Sequence, residues 1–191
     1  MGVMSATPRP NDASVPDWRP TLEGATIVLR PIQADDFDAL HAVASDPAIW
    51  VQHPDSDRYR REVFEGFFAS GLASDGAFAV VERATGRMIG SSRFYDWCAP
   101  SASVVIGYTF LARDHWGGAT NREMKSLMLA HAFRWARTAW FHVGPRNLRS
   151  RRALEKIGAR FDREETVFVA GEPRARAIYR IDRDASPPRG P

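Results

Sequence analysis

Residues 114–123, Asp-His-Trp-Gly-Gly-Ala-Thr-Asn-Arg-Glu, have the composition of a phosphate cradle. Gly117, Gly118 and Ala119 carry almost no side chain, so main-chain N–H groups there can approach an anion closely. The run that follows is helix-forming, and the free amides of a helix's first turn, with its dipole, favour the same negative charge. Arg122 or Lys125 could assist. Gly-Gly also serves as a plain strand-to-helix turn, and the loop alone does not separate the two readings. A second segment, residues 143–150, adds Asn147, a residue type that caps helix N-termini. In the helix it would start, Ser150, Ala153, Leu154 and Ile157 share the inward face, and Arg149, Arg152 and Lys156 fall on another.

The elements that must hold these segments follow from periodicity. Residues 26–31 read as a first strand. Asp35 or Asp36 can cap a helix through Phe37, Leu40, His41 and Val43 that stops at Pro47, and a second helix fits 58–72 with Val63, Phe64, Phe67 and Phe68 on its apolar face. The period then changes: 77–82, 88–97 and 103–111 are β-branched and aromatic runs separated by turn residues, as in an antiparallel meander. Met124, Leu127, Met128, His131, Phe133 and Trp135 form a helical stripe over 121–138, with Thr120 and Glu123 at capping-box spacing. A short strand at 141–143, a helix at 148–157 closed by Gly158, and strands at 160–170 and 174–182 complete the chain.

The chain has 191 residues, 44% hydrophobic and 26% charged, which suits one globular domain over 21–183. Residues 1–20, rich in proline, and 184–191 are expected to be poorly ordered. Of 26 basic residues 24 are arginine, yet the net charge is only +3, which does not demand nucleic acid. No apolar run reaches the roughly 20 residues of a membrane span, and a cytoplasmic protein is expected. Cys98 is the single cysteine, so neither an internal disulfide nor a thiolate metal cluster is expected, and it reads as a small buried residue. His115, His131 and His142 lack paired metal-ligand spacing, and no metal is expected.

Taken together, these features resemble the GNAT superfamily of acyl-CoA-dependent N-acyltransferases. Leu22-Glu23-Gly24 before Leu29-Arg30-Pro31, Ile89-Gly90, Ile106-Gly107-Tyr108 and Glu155-Lys156-Ile157-Gly158-Ala159 are similar to its ribosomal-protein N-terminal acetyltransferase (Rim-type) branch. The resemblance implies an α+β fold, a twisted mixed sheet of about seven strands flanked by about four helices and splayed between its fourth and fifth strands. It implies acetyl-CoA as co-substrate, with no metal, and a primary amine of a small molecule or a protein N-terminus as acceptor. It also implies transfer in a ternary complex and a possible homodimer. The pyrophosphate motif Gln/Arg-x-x-Gly-x-Gly/Ala is matched at Gly117 and Ala119, but Asp114 stands at the Gln/Arg position and must point away or pair with Arg113.

By the same resemblance Phe110, Leu111 and Ala112 would dock the pantetheine arm through the main chain, with Leu111 polarising the thioester oxygen. Trp116, Gly117, Gly118, Ala119, Thr120 and Asn121 would hold the pyrophosphate, Asn147 the pantetheine, and Arg152 in the basic cluster with Arg146, Arg149 and Arg151 the ribose phosphate. Arg151 can instead pair with Glu155. Ser150 is the candidate acid for the departing thiolate, ahead of Tyr108 and Tyr179. Trp50, His53, Tyr95 and Asp96 would line the acceptor pocket, where aromatic faces with an acid nearby suit a cationic amine. Asp96, His115 and Glu82 are candidate bases, each with a plain loop or surface reading. Two other functions stay open: a coenzyme-binding sensor without catalysis, and an Arg-rich RNA-binding module. The latter lacks interleaved aromatics and a known RNA motif, and no direct nucleic-acid contact is expected.

Overall fold

A computed structural model describes residues 16–183, so most of the 1–20 segment and the whole of 184–191 lie outside the described residues. Residues 16–20 are described: Trp18 packs its ring on Phe94, Trp97 and Trp135 at centroid distances of 5.1, 5.3 and 5.8 Å. The elements are β1 (Leu22–Glu23), β2 (Ile27–Pro31), α1 (Phe37–Ala44), α2 (Arg61–Leu72), β3 (Ala77–Glu82), β4 (Met88–Cys98), β5 (Ser103–Leu111), α3 (Thr120–Ala132), β6 (Thr138–Val143), α4 (Leu148–Lys156), β7 (Arg160–Val169) and β8 (Glu172–Asp182). Among the described residues they form the expected mixed α+β fold, with four α-helices and one eight-stranded sheet in the order β1-β2-β3-β4-β5-β6-β8-β7. The extra strand is the two-residue β1, too short to carry a period-2 signal.

Every neighbouring pair is antiparallel except β5 and β6. These two pair in parallel only over Ser103–Val105 against Thr138–Trp140 and then part, although both strands continue. They are the fourth and fifth of the expected strands, and the splay lies where expected. Its cause sits in β5. Arg93 pairs with Gly107 and Ser91 with Phe110, so Ser92 alone faces both Tyr108 and Thr109. Tyr108 takes φ +52°, and such a bulge bends its strand out of line.

Helices cover both faces of the sheet, so the central strands are buried on both sides. Along β3, Phe78 and Val80 enter the core shared with Met124 and Met128 of α3, while Ala77 and Ala79 enter the one shared with Leu40, Phe64 and Phe68 of α1 and α2. Alternation along the strand thus divides one run of apolar residues between two layers.

Several local expectations change. Helix α3 ends at Ala132, because the chain must turn through 133–137 to enter β6 at Thr138. The Thr120–Glu123 capping box does not form: the Glu123 carboxylate instead accepts from the Thr26 amide at 2.8 Å and from the Thr26 hydroxyl. A Cβ on Gly24 would lie 2.2 Å from Glu123 Oε1, so a side chain there would displace the carboxylate that ties the start of the sheet to the start of α3. Cys98 is exposed rather than buried. No helix among the described residues is long and apolar enough to cross a membrane.

Candidate functional site

The parting of β5 and β6 opens a cleft of about 390 Å³, lined along one side by Ile106–Leu111 and along the other by Phe141–Gly144. Ala112 donates its N–H to Ile89 of β4 at 2.8 Å. Successive amides of a strand point to opposite sides, so the Leu111 N–H faces away from β4, towards the cleft. The Leu111 carbonyl accepts from Trp116 Nε1 at 2.9 Å, which fastens the glycine loop to the end of β5.

At the cleft's upper end Gly117 takes φ +72°, a left-handed turn that favours glycine. Among the described residues no backbone carbonyl accepts from the amides of residues 117–121, whereas the Glu123 amide already donates to Ala119. A row of free donors therefore sits at the positive end of α3. Asp114 does not face them. It pairs with Arg87 at 2.7 Å, not with Arg113, and that hydrogen bond holds its carboxyl below the usual range. Arg113 pairs with Asp46. His115 sits between Thr120 Oγ1 at 3.1 Å and Arg87 at 3.0 Å, with Glu82 at 3.6 Å, so two of the candidate bases are absorbed into one loop network.

Opposite the loop, Asn147 caps α4 as expected, its Oδ1 accepting from the Ser150 amide at 3.1 Å. Gln52 supplies a second cap, its side-chain oxygen accepting from the Arg149 amide at 3.0 Å. Ser150, Ala153 and Leu154 line the cleft, in keeping with their shared face. Arg149 lines it too, contrary to its expected placement on another face: its guanidinium lies 3.6 Å from the centre of the Trp116 ring. Burial lowers its pKa, and no carboxylate pairs with it among the described residues. Arg152 is exposed and lies outside the cleft. Arg151 does not pair with Glu155; it donates to Tyr179, whose hydroxyl donates to Glu155 at 3.1 Å. With Tyr179 1% exposed and so engaged, it is no proton donor to the cleft.

Of the expected coenzyme residues, Phe110, Leu111, Trp116, Gly117, Asn121 and Asn147 line the cleft; Ala112, Gly118, Ala119 and Thr120 do not. Of the expected acceptor residues, Trp50 and His53 line it. Tyr95 stands behind the wall, its ring against Tyr108 and its hydroxyl 3.2 Å from His142 Nδ1, and burial raises its pKa. Asp96 is likewise outside.

The acceptor end is also more basic than expected. Arg58, Arg174 and Arg176 line it, with Asp55 as the one acidic lining residue. Burial pushes the Asp55 carboxyl up, but hydrogen bonds and charge from Arg174 and Arg58 outweigh it and hold it below the usual range. Among the described residues no free acid remains there to attract a cation. His53 is lowered to about 4 by burial and by Arg58, and His142 to about 4 by burial and by Arg176, so both imidazoles are neutral at pH 7. Arg174 and Arg176 share one face of β8 by their i, i+2 spacing, a signal legible in the sequence; Arg58 carried none. Lys125, expected as an aid to the glycine loop, instead donates to the hydroxyls of Thr109 and Ser92. Among the described residues no cluster of His, Cys, Asp or Glu could hold a metal.

A family model described as an acetyltransferase (GNAT) domain matches residues 26–160. No curated protein matches the sequence. Solved structures with the same fold include a GCN5-related N-acetyltransferase from Brucella melitensis, with 24% identity, 86% of this chain and 79% of that chain covered, and TM-score 0.73. A GNAT-family acetyltransferase from Bacillus anthracis has 18% identity, 85% and 98% covered, and TM-score 0.70. RimJ of Mycobacterium smegmatis, solved in complex with CoA-disulfide, has 18% identity, 88% and 90% covered, and TM-score 0.69. With the family match spanning most of the chain, and a sheet split beside a glycine loop and a capped helix, the protein belongs to the GNAT acetyltransferase family.

Proposed function

We propose that the protein transfers an acyl group, acetyl in the simplest case, from its CoA thioester to a primary amine, directly within a ternary complex. One observation carries this reading: the unpaired edge of β5 from Ile106 to Leu111 runs towards the free amides of residues 117–121. An extended pantetheine arm can dock on that edge as a strand would, with its pyrophosphate on the amides and the Arg149 guanidinium beside it. The Asn147 amide nitrogen is left to meet the arm, since only its oxygen is used as a cap.

The Leu111 N–H, turned away from β4, polarises the thioester oxygen as it gains charge. The neutral amine attacks the carbonyl carbon, forming the C–N bond. The C–S bond breaks as the tetrahedral adduct collapses, and Ser150 supplies the proton that neutralises the sulfur, regaining one from the former amine through water. Proton loss from the incoming ammonium goes to solvent: His53 and His142 are too weakly basic to hold that proton near neutral pH. Asp55 pairs with both Arg58 and Arg174 and so balances only one of them, while Arg176 pairs with Glu165; the remaining positive charge suits an amine whose substrate also bears an anionic group.

Thiol release from acetyl-CoA across amines of several classes tests the reading. Turnover with intersecting initial-velocity lines supports direct transfer, and parallel lines contradict it. No release with any amine, despite coenzyme binding, contradicts catalysis.

A further inference from the structure

The β5 bulge does more than open the sheet. By placing Tyr108 and Thr109 opposite Ser92 it brings the Thr109 and Ser92 hydroxyl oxygens to 2.8 Å. Lys125 of α3 reaches both, Nζ donating to Thr109 at 2.7 Å and to Ser92 at 3.2 Å. The Phe141 ring centre lies 6.0 Å from Nζ. Lys125 is 4% exposed, and it lines the cleft.

No carboxylate pairs with Lys125 among the described residues, and burial alone lowers its pKa, to about 7. An ammonium held only by hydroxyls is costly to bury, and an apolar side chain of similar length would pack there at lower cost. Two of its three protons have acceptors, so a third donor remains. The group that lacks a counter-charge thus stands beside Thr109, on the edge where the thioester arm would lie.

We infer that Lys125 and Thr109, with the buried Ser92 hydroxyl holding Lys125 in place, form a carboxylate-binding end to the acyl pocket, so that the favoured donor is the CoA thioester of a short dicarboxylic acid, of the malonyl or succinyl type. This inference rests on the acyl-CoA reading above. During transfer the chain's terminal carboxylate is unchanged and stays ion-paired to Lys125. The amine nitrogen bonds to the thioester carbon, the C–S pair leaves on sulfur, and sulfur takes up a proton as in acetyl transfer. The pairing also protects Lys125, since a neutral amine beside a thioester is itself an acceptor whereas an ammonium is not.

The test compares acetyl-CoA, malonyl-CoA and succinyl-CoA by calorimetry and by thiol release, on the full chain and on Lys125→Met. A dicarboxylic thioester is expected to bind at least about 10-fold more tightly than acetyl-CoA, and at pH 8 its binding takes up a proton while that of acetyl-CoA does not. In Lys125→Met the ratio of the two affinities falls by about 10-fold or more. Acetyl-CoA binding as tightly as both dicarboxylic thioesters in the wild-type protein overturns the inference while leaving the acyl-CoA reading intact. A loss in Lys125→Met that is equal for all donors overturns it too. Failure of every CoA thioester to bind removes both. The wild-type comparison alone decides the matter if the variant does not fold.

Discussion

The guanidinium of Arg149, near the start of α4, lies 3.6 Å from the ring centre of Trp116, whose indole N–H is bound to the Leu111 carbonyl at 2.9 Å. One stacked pair therefore joins the two walls of the cleft at the level of the glycine loop. Replacing Arg149 with Met is expected to weaken CoA binding by about 10-fold and to reduce its salt dependence, because a charge near the pyrophosphate is lost. Affinity for pantetheine, which has no phosphates, stays the same. Equal loss for both ligands in calorimetry places Arg149 elsewhere in the site.

Gly118 tests the anion cradle by charge alone. A Cβ there meets nothing within 4 Å, so both Gly118→Asn and Gly118→Asp fit the fold. The acidic variant is expected to bind CoA about 10-fold more weakly than the amide variant, since only it sets a carboxylate beside the phosphates. Matching dissociation constants for the pair count against a pyrophosphate at this loop.

Ser150→Ala separates chemistry from binding. Loss of a general acid lowers kcat by about 100-fold while the dissociation constant of the coenzyme moves little. Full kcat in the variant removes Ser150 as the proton donor to sulfur.

Buried bases make stability depend on pH. His142 faces Tyr95, Arg176, Glu165, Asp96 and Arg163, and its pKa falls from 6.5 to about 4 on folding. The unfolded chain then binds more protons between those values, so stability is lost as pH falls through that window. Lys125 falls from 10.5 to about 7, which makes stability rise with pH between those values. Thermal melts should show a smaller acid loss in His142→Gln than in the wild type. The Tm gap between Lys125→Met and the wild type should narrow from pH 7 to pH 10. Parallel pH curves for wild type and variants contradict these shifts.

What was legible in the sequence was local. Gly117 demands a left-handed turn and Asn147 a helix start, whatever surrounds them, and the meander followed from period-2 runs with turn residues between. The site's long-range features were not. Lys125 follows Met124 in a helix whose apolar stripe omits it, and it is buried because α3 passes under a bulge that no residue pattern announces. Helical spacing puts Arg149 on a different face from Ser150 and Leu154, yet its guanidinium stacks on Trp116 and lines the cleft with them. Asp114 was read against its neighbour Arg113, whereas the fold brings Arg87 to it from the β3–β4 turn. Ion pairing across 27 positions is a tertiary event.

The central claim is tested most directly by a crystal structure of the protein with acetyl-CoA. The pantetheine arm is predicted along Ile106–Leu111, its pyrophosphate on the amides of residues 117–121 and its thioester oxygen on the Leu111 N–H. A coenzyme bound on any other surface, with the space between β5 and β6 unfilled, contradicts the account.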